Sequence, residues 1–148
     1  MVKKSNRILY TKYKTMKLDA IIKDIYKLIA ECNQTDDITH LITNNLRLAG
    51  YLFYVSKHEN EAHKDYLEAY NERKYQTALI TSQGNGTATD RATKAEIEIK
   101  EYRQKETDSE TYYNMLRNIK HDLNNFIGVV VQKISILKIE QNLVKKDV

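Results

Sequence analysis

The 148 residues carry 24 Lys and Arg against 20 Asp and Glu, a formal charge of +4, with 41% apolar content, no proline, four glycines and one cysteine. That length and apolar fraction fit one domain. The lack of proline and the scarcity of glycine exclude the many turns of a sheet protein, and lone Cys32 excludes a disulfide framework and the multi-cysteine zinc patterns. No window approaches the roughly 18 to 20 apolar residues of a membrane span and no signal-peptide stretch opens the chain, so the expected location is cytoplasmic.

The first feature in chain order is one of charge. Lys3, Lys4, Arg7, Lys12, Lys14 and Lys17 place six cations and no acid in the first 17 residues, with Tyr10 and Tyr13 between them. Cations at that density favour polyanions, and rings set among cations are the side chains on which single-stranded bases stack. A solvated, disordered tail has the same composition. Residues 1–15 are therefore read as a basic arm ahead of one helical domain, residues 16–148.

Three helices are expected in that domain, over about 16–32, 37–81 and 88–143. In the first, Leu18, Ile21, Ile22, Ile25, Leu28, Ile29 and Cys32 recur at steps of three and four, with charged residues between them; Cys32 is a packing residue in this pattern. The cluster Asn33-Gln34-Thr35-Asp36-Asp37 ends that helix and supplies the N-cap of the next. The second helix carries a heptad stripe, Ile38, Leu41, Asn45, Leu48, Leu52, Val55, Glu59, Ala62, Tyr66, Ala69, Arg73 and Gln76, apolar at its start and polar beyond. Ser82-Gln83-Gly84-Asn85-Gly86-Thr87 is the turn, and Thr87-Ala88-Thr89-Asp90 reads as a capping box opening the third helix. The third stripe is Ala92, Ala95, Ile99, Tyr102, Ser109, Tyr112, Leu116, Ile119, Leu123, Phe126, Val130, Ile134 and Leu137.

The predicted fold is all-α: a short N-terminal amphipathic helix followed by a long antiparallel, coiled-coil-like helical hairpin. Folding about residue 85 pairs positions whose numbers total roughly 170, with arms on the order of 65 Å. Ile38 then meets Ile134, Leu52 lies near Ile119, Ala69 lies near Glu101, and Asn45 sits opposite Asn124 or Asn125, a polar pair of the kind that fixes register. Leu46, Tyr51, Phe53, Tyr54, Ile127, Val129, Val131 and Ile136 widen the apolar band beyond one partner helix. The expected consequence is a homo-oligomer, because apolar patches of that extent mark association surfaces; a compact three-helix monomer is the alternative.

No constellation of catalytic residues emerges. His58 and His63 are five residues apart, not the four of a zinc-protease helix, and so lie on different sides; no metal site and no cofactor are expected. His121-Asp122-Leu123-Asn124-Asn125 is similar over five residues to the phospho-accepting box of sensor histidine kinases, but it lacks the second helix and the nucleotide domain that follow that box. Gly84-Asn85-Gly86 is a turn, not a phosphate cradle. The protein is expected not to be an enzyme. Around the turn gather Arg73, Lys74, Arg91, Lys94 and Lys100, with Lys57 and Lys64 further down, interspersed with Glu72, Asp90, Glu96 and Glu98. This is either a phosphate-binding surface or an ordinary salt-bridged one.

Four features keep a particular order and spacing: Met16-Lys17-Leu18-Asp19 opening the first helix, Asn44-Asn45-Leu46 in the second, the run from Glu68-Ala69 to Gly84-Asn85-Gly86, and Asp90-Arg91 with Lys94 and Glu96 after the turn. From about Met16 to Leu137 the chain resembles the UvsY-type recombination mediators of T-even phages. The resemblance implies a ring-like homo-oligomer that binds single-stranded DNA, contacts the single-strand-binding protein and helps a recombinase nucleate its filament, without covalent chemistry. The host-cell cytoplasm would be its location. DNA contacts are then expected from Lys3, Lys4, Arg7, Tyr10, Lys12, Tyr13 and Lys14 of the arm and from Arg73, Lys74, Arg91 and Lys94 around the turn. The chain departs from the family in having Gln76 and Ala78 where the family's cations approach the turn, and in the extra arm. A coiled-coil scaffold or a protein-binding adaptor without DNA affinity is the other reading.

Overall fold

The computed structural model describes residues 2–145, with side chains from 17 to 145. Four helices follow one another: α1 (Val2–Gln34), α2 (Ile38–Gln83), α3 (Ala88–Glu98) and α4 (Lys100–Val144), with no strand among the described residues. The chain is all-α and built on a helical hairpin. α1 begins well before Met16, where the apolar pattern starts; no glycine or proline lies between Val2 and Met16 to stop a helix. The arm side chains Lys3, Lys4, Arg7, Tyr10, Lys12, Tyr13 and Lys14 lie outside the described ones.

Both predicted caps form. Asp37 Oδ1 accepts from the backbone N–H groups of Thr39 and His40, at 2.8 and 3.2 Å, and so satisfies two of the donors left open at the start of α2. At α3 the Thr87 hydroxyl accepts from the Asp90 N–H at 3.2 Å while the Asp90 carboxylate accepts from the Thr87 N–H at 3.1 Å, a reciprocal capping box. Gly86 adopts φ +102°, a conformation that side-chain-bearing residues rarely take, and so the turn needs glycine there.

Packing divides into two compact units, residues 1–53 with 122–148, and residues 54–121. The first is a three-helix arrangement with an aliphatic core. Leu18, Ile25, Leu28 and Cys32 of α1, Leu41 and Leu48 of α2, and Leu123, Val130 and Ile134 of α4 are all buried, each large side chain contributing about 1.5–3 kcal/mol by leaving water. Polar contacts at its margin fix α1 on α2: Asn44 donates to Glu31 at 3.2 Å, Arg47 pairs with Asp24 at 3.1 Å, and the Tyr51 hydroxyl donates to Asp24. Lys133 of α4 reaches the α1–α2 connection, donating to the Cys32 and Thr35 carbonyls at 3.2 and 2.7 Å and pairing with Asp36 at 3.0 Å. Asn45 does not find the polar partner expected of it. Its Oδ1 is buried with no hydrogen bond, while Asn124 and Asn125 are exposed.

This unit leaves apolar side chains in water. Ile42, Leu46 and Phe53 recur at helical spacing on α2, with Leu46 at 70% and Phe53 at 84% exposure, and Val129, Ile136, Ile139 and Leu143 do so on α4. At 3.6 residues per turn the α2 stripe points away from Asn44, Arg47 and Tyr51, which face α1. Tyr51, Tyr54 and Ile127, expected in the same exposed band, are half-buried.

The second unit contains the end of α2, all of α3 and the start of α4. Its core is small and partly polar: Val55, Ala62, Ala69, Ala95, Ile99 and Leu116, with His58 and Glu59 also buried. Three cross-helix contacts set its register: Glu59 with Lys120 at 2.9 Å, Tyr66 stacked on Tyr113, and Arg73 with Glu106. The numbers in each pair total 179, not the 170 expected, so Ala69 faces the neighbourhood of Ser109 and not Glu101. At Ile99 φ −87° and ψ 3° leave the helical region, so that α3 is a separate short helix and the run from 88 to 144 is not one helix laid back along α2. The predicted third helix is thus two helices, although Ile99 N–H still bonds Ala95 O and Arg103 N–H bonds Ile99 O. Ala92, placed in the core by its spacing, is exposed on α3.

Candidate nucleic-acid interface

The turn residues expected to meet DNA have different fates. Arg73 is 22% exposed and hydrogen-bonded through Nε and a terminal nitrogen to Glu106, which holds the guanidinium firmly charged and leaves it little freedom for a phosphate. Lys74, one residue on, is exposed, and its Nζ lies 4.7 Å from the centre of the Tyr70 ring, with the Arg73 guanidinium 5.5 Å from the same ring. These two cations therefore meet at Tyr70. Arg91 packs at the turn: a Cβ on Gly84 would come within 2.9 Å of Arg91 Cγ, so Gly84 supplies the room that Arg91 occupies, and its Nε is buried without a partner. Lys94 is exposed and pairs with Glu98 along α3 at 3.9 Å. Lys64 pairs in the same i,i+4 manner with Glu68.

The structure adds a set of rings that the sequence reading did not assemble. His63, Tyr66 and Tyr70 follow one another at steps of three and four on α2, and Tyr113 comes across from α4. The His63 imidazole stacks on Tyr113 with centroids 4.6 Å apart and planes 21° from parallel. Tyr113 and Tyr66 are within 5° of parallel at 6.1 Å, and Tyr66 leads to Tyr70 at 6.4 Å. The α2 half of this ladder was visible as spacing, with Lys74 four residues after Tyr70; Tyr113 required the true register. Beside the ladder runs an open groove of about 340 Å³ lined by Arg73, Arg103, Glu106, Thr107 and Glu110. Desolvation, and then the carboxylates of Glu110 and Glu106, push the Tyr66 hydroxyl's pKa above its usual value. The groove is charge-balanced, and the unit's sequence has 11 Lys and Arg against 12 acids, whereas the other unit has 13 against 8.

The histidines noted for their spacing are held by different partners, the His58 ring tilted 56° against Tyr54 at 4.4 Å and His63 stacked on Tyr113. Cys32 is buried, and burial pushes its thiol pKa up, away from the reactive thiolate. Among the described residues no group of three or more His, Cys, Asp or Glu could hold a metal ion, and no helix is long and apolar enough to cross a membrane. Comparison with protein-family models, with curated proteins and with solved structures gives no match.

Proposed function

We propose that this protein is a phage recombination mediator that binds single-stranded DNA and helps load a recombinase onto DNA covered by single-strand-binding protein. The observation that carries this reading is the acid-free stretch of six cations with Tyr10 and Tyr13 among them, set in the first half of a helix whose second half is anchored in an aliphatic core. Such a stretch supplies phosphate neutralisation and stacking from one element. The order and spacing of the segments shared with the UvsY-type mediators support the specific role. The exposed stripes of α2 and α4 support self-association, since apolar faces of this extent are covered in an oligomer. Function is then displacement and presentation, without bond-making: cations take the strand's phosphates, the resident protein's grip weakens, and the recombinase meets a held strand.

A second reading, a protein-binding adaptor or scaffold, is favoured by one observation. Arg73, Lys94 and Arg103 are all ion-paired within unit two, to Glu106, Glu98 and Glu96. Fluorescence anisotropy with labelled single- and double-stranded oligonucleotides across a salt series separates the two. The mediator reading expects preferential single-strand binding whose log affinity falls linearly with log salt concentration. Absence of binding at low salt removes it and leaves the adaptor.

A further inference from the structure

We propose that the ladder His63–Tyr113–Tyr66–Tyr70 of unit two is a stacking platform for unpaired nucleobases, and that it adds to the single-strand preference of Tyr10 and Tyr13 while the N-terminal cations supply the affinity. The inference rests on the DNA-binding reading above and assigns it a second, chemically distinct site.

The geometry carries it. One face of the His63 imidazole lies on Tyr113 at 4.6 Å, and the residue is exposed, which leaves the other face open to a planar group. At the far end the half-buried Tyr70 ring has Lys74 Nζ at 4.7 Å and the Arg73 guanidinium at 5.5 Å from its centre, and of these two cations only Lys74 is exposed. A flexible, exposed lysine is readily displaced from a ring by a base. Tyr113 and Tyr66 between these ends are fixed by each other and by neighbouring helices, so the platform is pre-organised and a base stacking on it orders few protein groups. Any base has a π-face, so such a platform is tolerant of sequence but not of duplex, where the faces are already occupied.

The same site is poorly built for phosphate. Glu106 is held by Arg73, Glu110 lines the adjoining groove, and the two arginines of that groove are balanced by its two carboxylates. Binding here therefore responds weakly to salt. The two contributions separate by their physics: cations set the slope of affinity against salt, and rings, those of the ladder together with Tyr10 and Tyr13, set the ratio between single and double strands.

The test uses the full chain and four variants, His63→Leu, Tyr70→Leu and the ring-preserving His63→Phe and Tyr70→Phe, with helicity and unfolding midpoint measured to establish folding. Each is titrated with a single strand, its duplex and an abasic strand of equal length. The wild type and ring-preserving variants are expected to favour the single strand over both others, and each Leu variant to lose roughly tenfold of that preference, as loss of one base-stacking contact entails, with an unchanged salt slope. Leu variants that keep the wild-type ratios, or that lose affinity for all three ligands alike, overturn the platform and leave the mediator reading in place. If a Leu variant fails to fold, the double variant Tyr10→Leu with Tyr13→Leu, which keeps the ladder and removes the arm's rings, decides: its equal affinity for abasic and base-bearing strands overturns the platform, and a retained preference for bases supports it. A wild type that binds none of the three at low salt overturns both.

Discussion

The two units are built from the same long helices, yet they solve packing differently. Unit one fills its interior with leucine, isoleucine and valine from three helices and leaves Leu46, Phe53 and Ile136 in water. Unit two buries two alanines of α2, Ala62 and Ala69, opposite α4, surrounds them with tyrosines, and takes Glu59 and His58 into its interior. A large aliphatic core stabilises without specifying which polar groups meet. Small residues bring backbones close and leave register to stacked rings and the Arg73–Glu106 pair, which are directional. Unit one is thus the part that holds the fold, and unit two the part in which position is set side chain by side chain.

Substitutions can break that contrast, beginning with the largest expected effect. Leu48→Ala, at a site with no exposed surface, should cost about 2–5 kcal/mol in urea unfolding; a loss below 1 kcal/mol would mean that the aliphatic core does not dominate. Arg73→Met should cost roughly 1–3 kcal/mol, between the values for surface and buried pairs, because it strands Glu106 beside Tyr66 with part of its surface covered. A double-mutant cycle with Glu106→Gln reads the coupling itself, and zero coupling would strip the pair of its role in register.

A smaller effect should appear with pH. Hydrogen bonds from Thr87 hold the Asp90 carboxyl below its ordinary value of 3.8, so the stability it gives is complete above that value and is lost as pH falls through the lower folded-state one. The stability difference between wild type and Asp90→Asn should be constant from pH 7 to about 5 and shrink below about 4. A difference that grows on acidification has the wrong sign for this cap. The smallest effect on stability, within about 0.5 kcal/mol, is expected for Leu46→Glu and Phe53→Glu, which lie in water. Sedimentation should nevertheless show weaker self-association, and an unchanged assembly would exclude the α2 stripe as its interface.

Much of this architecture was written in local pattern. The stripe read along α2 contains Leu41, Leu48, Val55, Glu59, Ala62 and Ala69, all buried, and both caps lay where short polar side chains precede an apolar run. What local pattern could not supply was the relation between helices. Ile99 occupies a heptad position whether or not the helix is interrupted there, so its break left no compositional trace, and neither did the shift in pairing. The ladder and the Arg73–Glu106 pair depend on that shift. Arg73 and Lys74 are neighbours of the same charge in sequence, and only the structure separates the paired arginine from the exposed lysine. The seven arm positions fall outside the described side chains, so for them the reading still rests on composition.

Lys133 has a consequence for how the chain closes. Its ammonium joins α4 to the Cys32 and Thr35 carbonyls, positions 101 and 98 residues away. Closing a loop of that length costs entropy, so contacts of this kind generally form late, after the local helices. A residue engaged only after the rate-limiting barrier acts on how long the native state lasts, not on how quickly it is reached. Lys133 is by this reasoning a latch, and its removal should leave refolding nearly as fast while shortening the lifetime of the folded protein.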